Sequence, residues 1–386
     1  MARIGVIAVP FFSHSAAAMR LARVIASQGH ELVVWGPERH RGEVEGWGAR
    51  FELHEPTMPR TRGLGFSMEL LETTERIAGS LVEELFEFGT EVLIHDSQAP
   101  WARVAGDYLG LSRLVAHPMF PIITPYSKPS RSDPFLPAPP DEEAKARFAS
   151  SWDAIARRWG VEIEDDHRTI HSAGRVMVGF TTQRIVGDEL LVPSWEVVGP
   201  LMSPPPPTAR PQGRPLVYLC LGTAYNARPD PFKAAITALA GEPVEVLVST
   251  GNGRWVTELE LGPLPDNVTL RTFVEARAVL ARASIHITHG GCNSVHETLL
   301  AGVPMVFLPQ AFDQFPLAWA VERLGAGVIA EEDPFAIREA VRLLLDSEKA
   351  QDSARELAEH LAEYPGEARL AELIERITVG AASLTE

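Results

Sequence analysis

The chain has 386 residues, 45% of them hydrophobic and 22% charged, with a formal charge of −16 at pH 7. A chain this long buries about 75% of its unfolded surface, so it needs no disulfide or metal staples, and its composition excludes a disordered protein, a collagen-like fibre and a disulfide scaffold. The acidic balance argues against non-specific nucleic-acid binding, which needs Lys and Arg to displace counterions from phosphates.

Length predicts two domains or one large one. Cys220 and Cys292, the only two cysteines, can form one bridge at most and no zinc site alone. They fit a reducing cytoplasm. The apolar run at 4–12 reads as a buried strand rather than a signal peptide. No apolar run approaches the ~20 residues that span a bilayer.

In chain order, residues 4–9 are predicted as a strand buried on both faces. Residues 19–25 follow with helical spacing, and Gly29 is placed to end that helix. Strands are predicted at 31–35, 92–95 and 112–116, and helices at 68–88 and 98–109. This is the β-α-β rhythm of an open parallel sheet. Periodicity fails at 55–67 and again at 117–140, where eight prolines occur. Loops of that length in a compact domain are usually functional.

The run 200–215, with four consecutive prolines at 204–207, favours extended polyproline and cannot continue a sheet. It predicts an N-terminal domain at 1–202, a linker at 203–215 and a second domain at 216–365. A C-terminal helix at 366–386 is free to pack back on the first domain. In the second half, strands fit 216–220, 244–248, 268–271, 284–287 and 305–308. Helices fit 230–240, 293–301, 314–324, 334–345, 350–363 and 366–378. The expected fold class is α/β, with two Rossmann-like halves.

The chemistry concentrates at His289-Gly290-Gly291-Cys292-Asn293-Ser294-Val295-His296-Glu297, after one strand and opening a helix. Two glycines admit a ligand close to the backbone. Asn293 or Ser294 can cap the helix, whose free N–H groups and dipole favour a phosphate. Glu297, one turn on, shares a face with Asn293 and suits ribose hydroxyls. The bland alternative is a capped helix after a glycine turn. Asp313 and Gln314, just past the next strand, add an adjacent acceptor and amide suited to sugar hydroxyls.

These residues resemble the GT-B glycosyltransferase family that includes plant natural-product and bacterial macrolide glycosyltransferases. The match includes Leu219-Cys220-Leu221-Gly222-Thr223, Leu264-Pro265-Asp266-Asn267-Val268 and His289-Gly290-Gly291. It continues through Asn293-Ser294, Glu297, Gly302-Val303-Pro304 and Pro309-Gln310-Ala311-Phe312-Asp313-Gln314. The N-terminal half matches more loosely, through its first strand-loop-helix and Leu93-Ile94-His95-Asp96.

The resemblance implies two domains facing each other across a cleft. His289, Asn293 and Ser294 would hold the donor diphosphate, with Gly222 and Thr223 over it. Glu297 would bind the ribose, and Asp313 and Gln314 the transferred sugar. His14, read as lying after the first strand and before the first helix, would be the general base. Asp96 would orient it.

Two departures stand out. Ser13 precedes the base where the family has Gly, and Ala16-Ala17-Ala18 follow. Phe273 replaces the usual Trp beside the nucleotide base, leaving the backbone near Val274 to bond the base edge, so the resemblance does not choose uracil or thymine.

The implied partners are a nucleoside-diphosphate sugar and an apolar acceptor such as a polyketide or macrolide-like aglycone. Segments 55–67 and 117–140 would line its cleft. No Asp-x-Asp pair lies near the donor motif, so no metal or other cofactor is expected. The chain would act in the cytoplasm as a monomer or homodimer. Two other functions fit the same motifs: a nucleotide-sugar epimerase, and a non-catalytic partner of another transferase. His95, His117, His286 and His296 are assigned no chemistry. Trp35, Trp47 and Trp101 are read as core or pocket wall.

Overall fold

The computed structural model describes residues 1–59, 64–117, 142–161, 176–187, 195–206, 213–222, 228–251, 258–310 and 313–382. The first half runs β1 (Arg3–Ile7), α1 (Phe12–Ser27), β2 (Glu31–Gly36), a 3₁₀ turn (Glu38–His40), α2 (Arg41–Gly46) and β3 (Arg50–Leu53). It continues with α3 (Leu64–Phe88), β4 (Val92–Asp96), α4 (Pro100–Tyr108), β5 (Ser112–His117) and α5 (Glu142–Trp159). β6 (Val176–Gly179), α6 (Gln183–Val186) and β7 (Trp195–Val197) end it.

The second half runs β8 (Leu216–Cys220), α7 (Asp230–Leu239), β9 (Glu245–Ser249), α8 (Glu258–Leu261), β10 (Val268–Arg271) and α9 (Ala276–Leu280). Then come β11 (Ile285–Thr288), α10 (Cys292–Leu300), β12 (Met305–Phe307), α11 (Gln314–Arg323) and β13 (Gly327–Ile329). Three helices close the chain: α12 (Pro334–Asp346), α13 (Glu348–Glu363) and α14 (Gly366–Ala382).

Two parallel sheets result. The first has the order β3-β2-β1-β4-β5-β6-β7 and the second β10-β9-β8-β11-β12-β13. Alternation along β1 explains how the first sheet is covered. Ile4, Val6 and Ala8 pack with α1 through Ala17, Ala18, Leu21, Ala22 and Ile25. Ile7 and Val9 turn to the other face, against Leu70, Leu81 and Leu85 of α3 and Trp101 of α4. Small residues in α1 let that helix lie close to the sheet. Helix α14 completes the first face: Leu370, Leu373 and Ile374 join the same cluster, and Arg23 pairs with Glu367 at 2.8 Å.

Register places the site. In a parallel sheet, the loops after neighbouring strands emerge at one edge, and ligands bind there where the strand order reverses. β1 lies between β2 and β4, with Ile7 opposite both Trp35 and His95. In the second sheet Thr288 is opposite Cys220 and Phe307. The carboxyl ends of β8, β11 and β12 therefore lie side by side.

The structure corrects several element boundaries. α1 starts at Phe12, so His14 lies in its first turn rather than ahead of it. α3 starts at Leu64, inside the segment read as irregular. Strands β3, β6, β7 and β13 went unread; each has only three or four residues. The proline-rich stretch at 118–141 lies outside the described residues. Among the described residues no helix is long and apolar enough to cross a membrane.

Candidate active site

His14 and Asp96 stand side by side at the carboxyl edge of the first sheet. β1 leads into α1, which carries His14 in its first turn, and the neighbouring β4 ends on Asp96. Nδ1 of His14 lies 3.0 Å from Oδ1 and 2.9 Å from Oδ2 of Asp96. Asp96 Oδ1 also accepts the Gln98 N–H at 2.7 Å. The pair is 7% and 2% exposed, and the Phe11 ring packs against the imidazole with centroids 5.6 Å apart. An ionised carboxylate only accepts, so His14 carries its proton on Nδ1 and leaves Nε2 as the basic nitrogen.

His289 follows β11 at the facing edge of the second sheet. Its ring is seated between two glycines. A Cβ at Gly222, whose φ is +81°, would stand 2.7 Å from His289 Nε2, and one at Gly291 would stand 2.5 Å from it. Burial pushes the His289 pKa down to about 4, so the ring is neutral at pH 7. Its Nδ1 is buried without a hydrogen-bond partner.

The helix after it is capped otherwise than the motif suggests. Gly291 is the N-cap residue, and no side chain caps α10. Ser294 Oγ lies 3.4 Å from Thr288 Oγ1, which also accepts the Gly290 N–H at 3.3 Å. Asn293 spans the cleft instead. Its Nδ2 donates to the Ser13 carbonyl at 2.8 Å, and its Oδ1 accepts from Arg20 Nη2 at 2.9 Å. The first N–H groups of α10 have no acceptor within the helix, which leaves them for an anion. Burial raises the Glu297 pKa, while Arg20 and Arg277 oppose that shift.

Asp313 and Gln314 are buried at the start of α11. Gln314 Oε1 accepts the Gln310 N–H at 2.7 Å. Phe273 is 64% exposed at the end of β10. Val274 packs with Tyr218, Leu280, Ala283 and Val303. Thr223 lies outside the described residues.

Arg20, to which the sequence reading gave no role, meets the helix after His289 through Asn293. The one available signal was an arginine less than two turns along α1 from the candidate base, flanked by Met19 and Leu21. His286 and His296, assigned no chemistry, are buried structural groups here. His286 stacks on Tyr218 with centroids 4.8 Å apart. His296 Nε2 lies 2.9 Å from Thr181 Oγ1 of the first half.

A buried His–Asp pair in one α/β half thus faces a glycine turn and helix N-terminus in the other. The family described as Erythromycin biosynthesis protein CIII-like, C-terminal domain matches residues 244–377. The chain is 28% identical to 4'-demethylrebeccamycin synthase of Lentzea aerocolonigenes, over 97% of this chain and 99% of that protein. It is 33% identical to NDP-glycosyltransferase YjiC of Bacillus subtilis (strain 168), though that match covers only 42% of each. The solved glycosyltransferase of kitacinnamycin superposes with a TM-score of 0.81 at 23% identity, covering 97% of this chain and 98% of that one.

The chain has the GT-B fold of these solved glycosyltransferases. A second solved structure, spinosyn rhamnosyltransferase SpnG complexed with thymidine diphosphate, covers 97% of this chain and 100% of its own. Its TM-score is 0.70 at 19% identity. The family match lies in the second half of this chain, where the glycine turn and α10 lie.

Proposed function

We propose that the chain is an inverting glycosyltransferase that moves a sugar from a nucleoside diphosphate to a hydroxyl of an apolar natural product, with His14 as general base. The observation that carries this reading is the buried His14–Asp96 pair, linked through Ser13 and Asn293 to the helix after His289. Nε2 takes the acceptor proton, and Asp96 stabilises the imidazolium that forms. The acceptor oxygen bonds the anomeric carbon from the face opposite the diphosphate. The bond to the diphosphate breaks with its electron pair on the leaving oxygen. Free N–H groups of α10, Ser294 and His289 stabilise that oxygen, with Gly222 beside them and Thr223 assigned to the same diphosphate. Glu297 takes the ribose hydroxyls, Asp313 and Gln314 the sugar, and Phe273 and Val274 flank the base.

In this reading residues 1–202 form the acceptor domain and 216–365 the donor domain, joined by 203–215, with 366–386 returning to the first. The bound thymidine diphosphate of the spinosyn enzyme supports a dTDP-sugar donor, with a UDP-sugar as the other candidate. The 4'-demethylrebeccamycin synthase relative supports an antibiotic-type aglycone as acceptor. The enzyme works without a metal and in the cytoplasm.

The test supplies dTDP- and UDP-sugars with a panel of apolar aglycones and reads the glycoside by mass. His14→Ala should lower turnover about a thousandfold, within the range for losing a general base and its partner. Wild-type turnover in that variant would remove His14 from the mechanism. Sugar conversion without acceptor would favour an epimerase, and donor binding with no turnover an auxiliary partner. A chelator should leave the rate unchanged.

A further inference from the structure

Neither α10 nor the glycine turn before it carries a lysine or arginine to meet the donor phosphates. His289 is neutral, because burial holds its pKa near 4. Glu297 adds a carboxylate one turn along α10, and the donor diphosphate would bring more negative charge. The helix dipole offers roughly half an elementary charge in return.

Arg20 lies against this helix from the other half of the molecule. It is carried by α1, the helix that holds His14 in its first turn. Its Nη2 donates to Asn293 Oδ1 at 2.9 Å, while its Nε is buried with no partner. Glu297 and Cys292 of α10 both act on its charge. Burial lowers its pKa to about 10, which leaves it protonated at neutral pH. A half-buried guanidinium whose Nε–H is buried and unsatisfied is costly unless an acceptor arrives. Its planar fork suits phosphate oxygens.

We propose that Arg20 is a donor-binding residue supplied by the acceptor half, its guanidinium reaching across the cleft to the donor diphosphate and stabilising it as it leaves. The proposal rests on the donor site described under the proposed function. Before the donor binds, Asn293 holds the guanidinium, and the nearby Glu297 favours its charge. With the donor bound, the unpaired Nε gains a phosphate oxygen. In the transfer step the proton goes to His14 Nε2, the new bond joins the acceptor oxygen to the anomeric carbon, and the electron pair of the broken bond stays on the phosphate oxygen. Arg20 faces that new charge. Asn293 bonds both Arg20 and the Ser13 carbonyl, so the cation and the base are set by the same closed arrangement.

The test measures calorimetric affinity for UDP, dTDP, uridine and thymidine in wild type, Arg20→Gln, Arg20→Lys and Glu297→Ala. The melting temperature without ligand checks folding. Gln keeps a donor for Asn293 but removes the charge. Arg20→Gln should weaken the bound nucleoside diphosphate about tenfold to a hundredfold, as expected for a lost charge-assisted hydrogen bond. It should leave the matching nucleoside unchanged, and its diphosphate affinity should depend less on salt. Arg20→Lys should recover part of the loss, and it decides the matter if the Gln variant melts early. Wild-type diphosphate affinity in Arg20→Gln, with affinity lost in Glu297→Ala, overturns the assignment of Arg20 and spares the donor site. An equal loss for nucleoside and diphosphate makes Arg20 a packing residue and overturns the proposal. Unchanged affinity in both variants, or no diphosphate binding by wild type, overturns the donor site and the proposal together.

Discussion

Asp96 gives up both carboxylate oxygens to His14 and one also to the Gln98 N–H. Asp96→Asn places an amide where two acceptors stood, and the ring would have to turn or change tautomer. Turnover should fall about 10²- to 10⁴-fold, by analogy with the loss on replacing a triad aspartate, with nucleotide affinity unchanged. Steady-state rates and nucleotide titration check this, and a near wild-type rate would reduce Asp96 to packing. Gly222 gives a second test at this scale. It has a φ of +81°, and any Cβ there would stand 2.7 Å from the His289 ring. Gly222→Ala should displace the ring and weaken dTDP or UDP binding at least tenfold, while binding equal to wild type would show that the ring has room to move. His14 and Asp96 are 82 positions apart, and composition cannot pair them. They were legible because His14 follows one strand and Asp96 ends another, in positions that the family resemblance pairs. Arg20 was not legible, since a helical arginine reveals its partner only once the second half of the chain is folded beside it.

At the scale of elements, the strongest apolar runs were also the most readable. β1, β4, β8 and β11 are central in their sheets, so both faces are covered and their sequences are nearly unbroken hydrophobic stretches. Edge strands such as β3, β7 and β13 are short and partly exposed, and their sequences hold no period long enough to read. The start of α1 was misplaced because Phe12, Ser13 and His14 lack a helical apolar spacing; tertiary packing carries the helix back to Phe12. Helix α14 shows which contacts matter for its docking. Leu373 is buried in the first-half cluster with Leu21 and Ile25, whereas the Arg23–Glu367 pair is about half exposed on both sides. Leu373→Ala should cost about 2–5 kcal/mol, the usual range for a buried leucine. Arg23→Ala should cost under about 1 kcal/mol. Denaturant unfolding of both variants separates them, and a Leu373 loss no larger than that of Arg23 would mean α14 is held mainly by its ends.

The whole molecule is tied across its two sheets as well as through the linker. Ile185, Val186 and Val197 of the first half share a cluster with Val295, Leu299, Leu317 and Leu357 of the second. His296 and His360 reach Thr181 and Thr182 respectively. His296 is fully buried, with Nδ1 on the Cys292 carbonyl at 2.7 Å and Nε2 on the Thr181 hydroxyl at 2.9 Å. Burial first, and Arg20 further, push its pKa down to about 4, against the pull of the Cys292 carbonyl. The unfolded chain titrates this histidine near 6.5, so between about 6.5 and 4 the unfolded state binds more protons. Its contribution to stability is fully present above pH 6.5 and is lost as pH falls toward 4. Each such group steepens the pH dependence by at most about 1.4 kcal/mol per pH unit. His286 and His289, with pKa values pushed down to about 3 and about 4 by burial, act in the same direction. The melting temperature should therefore drop steeply between pH 6.5 and 5. His296→Gln keeps a polar partner for Thr181 but cannot be protonated, so its curve should be shallower over that range while lying close to wild type at pH 8. A variant curve parallel to wild type would show that the junction between the two halves does not set the acid limit of the fold.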